Sequence, residues 1–383
     1  MTRPHLRCGD LVLTTELELD QRPLRDAARK FLDHYASSAQ VHQIACSTPS
    51  LDRTYWSAAA ELGWTSLLVP ENAGGGSISG RPFADVAVLA EEAGRHVAPG
   101  PLVPCNVVAW VLSRDDAEPT GDALSSVLDG SAVAAWSLVE PGSGWDPDAV
   151  AVRATRAPGG HTVTGIKTVV EAAPDADVFL VSARDEDGVG LYLVDRSAPG
   201  VAVTPKRGLD PTRGFGTVEF ATAPATKVAG GDAGRRISES AYCAAIAIQT
   251  AETASLMRHV FEITLDWVTK RYAFGRVVGS YQAIKHRLAE HYLALEVATG
   301  AAAGLATALD EGSPEASALA SAAKAYIGDA AVALVQDAIQ LHGGIGMTWE
   351  HDLHLYLRRA STNRVVYGDP AAHRERLCRL AGV

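Results

Sequence analysis

Residues 271–282 read RYAFGRVVGSYQ, and residues 340–346 read QLHGGIG. Both stretches fall where a helical pattern stops. Upstream of the first, Leu256, Val260, Ile263 and Trp267 make an apolar stripe that predicts a helix over about 237–270. Beyond it, the pattern predicts helices over about 281–309 and 314–341, the second rich in alanine, then a final helical pair. Arg271 thus closes one helix and Gln282 opens the next. A cation beside fresh, unpaired N–H groups is a good seat for phosphate oxygens, because helix N-termini and guanidinium forks both favour them. Gly343 and Gly344 remove side chains where a cofactor could approach the backbone. Read alone, Arg271 also suits a helix C-terminal cap, and GGIG suits a helix-ending turn.

The chain ahead of this bundle changes character twice. Up to about residue 125 it reads as helical. Leu24, Ala27, Ala28, Phe31 and Leu32 form one stripe, Tyr55, Ala58, Ala59 and Leu62 a second, and Phe83, Val86, Leu89, Ala90 and Ala93 a third. From about 131 to 225 short β-rich runs alternate with Pro-Gly, Gly-Gly and Asp-Gly pairs. The expected strands are Val133–Leu138, Val150–Ala154, His161–Val163, Val178–Ser182, Gly190–Val194 and Thr217–Phe220. The pattern predicts an N-terminal α-helical domain (1–130), a middle β-barrel or sandwich (131–235, ending in the Gly-rich Ala229–Arg236) and a C-terminal helical bundle (236–383), an α+β chain.

Composition bounds the function. With 383 residues the chain is long enough for two or three packed modules. A formal net charge of −11 leaves no basic footprint for nucleic acid. The five cysteines, Cys8, Cys46, Cys105, Cys243 and Cys378, are scattered, odd in number and without a CxxC pair; free thiols in a reducing cytoplasm are expected. The polar N-terminus does not read as a signal peptide, and no apolar run is expected to span a bilayer.

Four motifs, in order, carry a resemblance. Leu62-Gly-Trp64 with Leu68-Val-Pro-Glu-Asn-Ala-Gly74, Val139-Glu-Pro-Gly-Ser-Gly-Trp-Asp146, Arg271-Tyr-Ala-Phe-Gly275 with Gln282, and Gln340-Leu-His-Gly-Gly344-Ile-Gly346 resemble the signatures of flavin-dependent acyl-CoA dehydrogenases along nearly the whole chain. The resemblance implies that the C-terminal domain is a four-helix bundle packed against another subunit, and an FAD whose flavin ring lies in one subunit while its ADP half reaches a neighbour. It gives Arg271, Phe274, Gln282, Gln340, Gly343 and Gly344 the ADP half. It also implies an acyl-CoA substrate, a tetramer, an electron-transfer flavoprotein or similar acceptor, and a role in fatty-acid or steroid side-chain β-oxidation.

The sequence departs from that family where the chemistry lies. The family's base, a glutamate in a YEGT-like segment, falls at Tyr367 in Val365-Val-Tyr-Gly-Asp-Pro370, and the second known base position falls near Ala245. A phenol with pKa about 10 is a poor base at neutral pH. Positions that contact the flavin ring in the family are Val139, Val169 and Glu171, and the serine of the TEPxxGSD loop is Trp145.

Asp369 is the first candidate for a relocated base, although it also suits the N-cap ahead of Pro370. Glu239 and Glu252 read as solvated helix charges. His342, His351 and His354 are weaker candidates, the last two spaced for a metal but better read as polar helix surface; no metal is expected. Three functions stay open: a subunit that completes the ADP half of a second acyl-CoA dehydrogenase-like chain, a homo-oligomeric dehydrogenase using Asp369, and a non-catalytic scaffold homologue.

Overall fold

The computed structural model describes residues 20–46 and 51–383; Cys8 lies outside the described residues. Six helices open the described chain: α1 (Gln21–Tyr35), α2 (Ser38–Ala45), α3 (Arg53–Glu61), α4 (Pro82–His96), α5 (Leu102–Leu112) and α6 (Ala123–Leu128). Their starts follow local chemistry. Asp52 caps α3, its carboxylate accepting from Thr54 N at 2.9 Å and Tyr55 N at 3.3 Å. The free N–H groups of Phe83 and Ala84 in the first turn of α4 donate to the Asp310 carboxylate at 2.8 and 3.0 Å. A carboxylate at the end of the helix Gln282–Asp310 thus anchors this domain to the C-terminal bundle.

The middle domain holds β1 (Ala134–Ser137), β2 (Arg153–Ala157), β3 (Gly160–Glu171), β4 (Val178–Asp185), β5 (Gly188–Asp195), β6 (Val201–Lys206) and β7 (Phe215–Ala229). The order is β1-β4-β2-β3-β7-β5, and β5 pairs back onto β4, so the sheet closes on itself. Phe179, Val181, Leu191, Val218 and Phe220 fill its buried faces. Several expectations shift. The short strands expected at 161–163 and 217–220 extend over Gly160–Glu171 and Phe215–Ala229. The strand expected at 150–154 begins only at Arg153, because Ala151 N and Val152 N are taken by the Glu140 carboxylate, each at 3.0 Å. Strand β6 was not expected; it lies along β7 as the outermost partner, where Pro205 is tolerated.

The bundle consists of α7 (Gly231–Lys270), α8 (Gln282–Asp310), α9 (Ala316–His342), α10 (Leu353–Val365) and α11 (Pro370–Leu380). Helix α7 begins inside the segment expected as the domain boundary. At about 1.5 Å per residue it runs about 60 Å and packs against helices of both helical domains and the β-domain. A Cβ on Gly94 of α4 would lie 2.0 Å from the Glu252 carbonyl oxygen, so these helices meet backbone to backbone. Between α7 and α8 stands an unexpected hairpin, β8 (Tyr272–Ala273) and β9 (Arg276–Val277), turning through Phe274 (φ 50°) and Gly275 (φ 79°).

Contrary to expectation, two helices, Gln282–Asp310 and Ala316–Met347, are long and apolar enough to cross a bilayer by length and composition, each with a mean hydropathy of 1.4. Alanine supplies much of that value, and both helices pack in the bundle.

Candidate functional site

The six residues expected to grip the ADP half gather at the ends of α7, α8 and α9, and all are exposed. Arg271 follows the last turn of α7 and has no acidic partner among the described residues. Its guanidinium lies over the Trp267 ring, 5.7 Å from the centroid. Trp267 stacks on His342 at 5.3 Å and 15°, and His342 directly precedes Gly343. Gly343 has φ 66°, and a Cβ on Gly343 or Gly344 would meet nothing within 4 Å. Gln282 is the first residue of α8, with its amide 3.5 Å from His286. Gln340 stands in the last turn of α9, and Phe274 at the hairpin tip is 99% exposed. The hairpin is braced by Arg276 over Tyr281 at 3.8 Å and by the Tyr281 hydroxyl donating to Ala273 O at 2.9 Å. An unopposed cation, open glycines and a fresh helix N-terminus fit an ADP group.

The positions expected at the flavin ring do not fit it. Tyr367 is buried, with φ 62°, and its carbonyl is fixed by the Tyr242 hydroxyl at 2.7 Å and His373 Nε2 at 2.8 Å. The phenol reaches the Glu171 carboxylate at 3.5 Å, and the ring packs against Trp145 at 5.1 Å and Trp136 at 6.4 Å. Val169 takes φ 50°, a costly conformation for a β-branched residue, at an irregularity of the β3–β7 register. Val139 offers an apolar side chain, and its carbonyl accepts from Thr168 N at 2.8 Å. The loop that follows is pinned by Lys167, which donates to Leu138 O at 2.9 Å and to Glu140 at 2.8 Å.

Behind Tyr367 lies a buried network that the sequence reading missed. Arg213 donates to both Glu252 oxygens, at 2.7 and 2.6 Å, and to Asn363 Oδ1 at 2.9 Å. Its Nε lies 3.5 Å from Glu171. Arg359 pairs with Glu252 and Asp210 and donates to Thr212 Oγ1 at 2.6 Å. Lys324 bonds to Gln249 and the Asn363 carbonyl. Glu252 is therefore not a solvated helix charge. The available signal was that it is the sole charge on α7 between Glu239 and Arg258.

Burial favours a neutral Glu252, but the Arg213 and Arg359 guanidiniums, with hydrogen bonds from Arg213 and Asn363, hold it below the usual carboxylate range. Burial raises Glu171, and Arg213 offsets this only in part because Glu252 is also near. Burial, then the Glu171 charge, pushes the Tyr367 phenol well up. Burial lowers Lys324 to about 7.

Ala245 is buried in α7. Asp369 is exposed and caps α11, accepting from Ala372 N at 2.8 Å. Glu239 pairs with Arg376 and accepts from Ser317 Oγ at 2.6 Å. His342 is buried with Nδ1 on Ala338 O at 2.8 Å. His351 Nδ1 accepts from Leu353 N at 3.3 Å, and His354 stacks on Trp349 at 4.2 Å. A cavity of about 260 Å³ between Tyr35, Tyr55 and Pro101 reaches Glu171 and Arg213, but Tyr367 is not in its wall.

Comparison with known proteins matches this geometry to one family. Profiles described as the acyl-CoA dehydrogenase N-terminal, middle and C-terminal domains match residues 18–115, 135–222 and 244–381. The acyl-CoA dehydrogenase FadE34 of Mycobacterium tuberculosis is 32% identical over 353 residues, which is 91% of this chain but 45% of that protein. The chain thus spans under half the length of that relative. The acyl-CoA dehydrogenase IpdE2 of the same organism is 29% identical over 363 residues, 94% of this chain and 96% of that one. A solved structure described as a Tcur3481-Tcur3483 steroid ACAD variant is 29% identical with a TM-score of 0.85, covering 94% of this chain and 97% of that one.

Proposed function

Because this chain belongs to the acyl-CoA dehydrogenase family, a family of FAD-dependent oxidoreductases, we propose that it is the cofactor-completing subunit of a hetero-oligomeric acyl-CoA dehydrogenase. In that assembly it supplies Arg271, Phe274, Gln282, Gln340, Gly343 and Gly344 to the ADP half of an FAD. A second, related chain supplies the ring pocket, the base and the acyl site. The bound FAD accepts the hydride when the acyl-CoA gains its α,β double bond.

The observation that carries this reading is the 3.5 Å contact between Tyr367 and Glu171. α,β-Dehydrogenation places the acyl chain between the base and the hydride acceptor. Here the side chain at the base position touches the side chain at a flavin-contact position, so no slot separates them. The relocated-base alternative loses support because the Asp369 carboxylate is engaged as a helix cap. The relative whose description joins two gene products supports a heteromeric partner, and its steroid description supports a bulky steroid-type thioester as the substrate class. An electron-transfer flavoprotein or similar acceptor reoxidises the assembly.

The test is to purify the chain alone and together with the product of the adjacent gene, then measure FAD per chain and acyl-CoA desaturation. FAD and activity only in the joint preparation are expected. Desaturation by this chain alone would overturn the reading.

A further inference from the structure

The two phosphate-facing motifs lie on different helices, yet an aromatic ladder joins them. Trp267 sits one turn before Arg271 on α7 and carries its guanidinium at 5.7 Å. Trp267 in turn stacks on His342 at 5.3 Å, nearly parallel. The His342 ring is itself fixed. It is buried, meets His351 edge-on at 4.8 Å, and places Nδ1 2.8 Å from Ala338 O. A carbonyl only accepts, so Nδ1 carries the proton of that bond. Burial also disfavours the charged form of His342.

We propose that Trp267 and His342 are positioning residues: their stack fixes the Arg271 guanidinium relative to the Gly343–Gly344 turn, so that both motifs present one rigid seat for a pyrophosphate. This rests on the reading of Arg271 as part of an ADP site. An arginine on an exposed helix end has many rotamers, and binding must freeze them. Among the described residues no carboxylate holds this guanidinium, so the indole face is what restricts it. Restriction before binding appears as affinity.

The experiment uses the full chain, ¹⁵N-labelled, with ADP as the probe. Arg271 Nε–H relaxation and its shift on titration with ADP are followed in the wild type, Trp267→Leu, Trp267→Phe and His342→Ala, with thermal unfolding measured alongside. Leucine keeps apolar bulk but removes the ring face. Trp267→Leu is expected to free the Arg271 side chain and weaken ADP by about 2–5-fold, the range of an exposed cation–π contact. Trp267→Phe is expected to restore most of both. His342→Ala is expected to shift both in the same direction as Trp267→Leu without touching Arg271. Unchanged Arg271 order and ADP affinity in Trp267→Leu would overturn the proposal. Unchanged ADP binding in Arg271→Ala would instead sink the ADP-site reading on which the proposal stands.

Discussion

At residue scale, the exposed and the buried positions carry different tests. Arg271 makes no competing ion pair among the described residues, so its guanidinium is available for phosphate. Arg271→Ala is expected to weaken FAD retention in the assembled enzyme by about 1.5–3 kcal/mol, the worth of a charge-assisted hydrogen bond; fluorimetry of released flavin measures it. Asp369→Asn keeps a cap-competent side chain, and Glu239→Gln leaves a half-exposed residue hydrogen-bonded. Both are expected to leave turnover of the complex nearly intact. A loss of about 10²–10⁴-fold in Asp369→Asn, with FAD and assembly preserved, would mark it as the base. The contrast also explains what the sequence could show. The placement of Arg271, Gln282 and the glycine turn at helix ends was legible because it follows from local spacing. Glu252 was not, because its partners Arg213 and Arg359 stand 39 and 107 positions away and a lone helix charge reads as solvated.

At the scale of elements, the ion network welds β3, the loop before β7, α7 and α10 into one block. Its two glutamates have opposite titration signs. Glu252 is held below its ordinary pKa, so its contribution is full above the unfolded value and fades as pH falls through the lower folded value. Glu171 is held above its ordinary pKa, so the folded state loses stability as pH rises from the unfolded value through the raised one. Denaturant unfolding at pH 7 is expected to show Glu252→Gln destabilised by about 3–5 kcal/mol, because two buried guanidiniums lose their carboxylate. Glu171→Gln is expected to be neutral or stabilising; a large loss there would mean that Arg213 holds it ionised. The long bundle helices were legible because their apolar stripes are long, although α7 starts at Gly231 rather than near 237; α2, α5 and α6, which are shorter, matched no expected stripe. Strand β2 was misplaced because Glu140, 11 and 12 positions upstream, captures the amides that would have extended it, a pairing that no strand pattern shows. Strand β6 escaped because a short run containing Pro205 carries little alternation.

At the scale of the whole molecule, each subunit of a symmetric homo-oligomer must give both halves of every cofactor site. In this chain the expected ADP positions are exposed, and at the expected ring positions Tyr367 meets Glu171 at 3.5 Å. About one FAD per two chains is expected in the complex, with little or none on this chain alone; flavin absorbance against protein concentration reads the ratio. One tightly held FAD per chain in a homotetramer would show that Val139, Val169 and Tyr367 rearrange around a flavin. Fold and domain order were legible because they repeat a pattern of helices, strands and helices. The contact between Tyr367 and Glu171 was not, because the two stand 196 positions apart.

The hairpin tip has a further consequence for how the protein must be made. Phe274 is 99% exposed, with Tyr272 at 68% and Met347 at 82% beside the same helix ends. Uncovered apolar surface of this kind attracts other chains. Molecules synthesised in excess of their partner are therefore expected to bind hydrophobic dyes, to cluster as concentration rises and to be cleared by proteolysis. If the proposed heteromeric assembly covers these residues, matched production of its two polypeptides, as from one transcript, keeps that surface covered from the start.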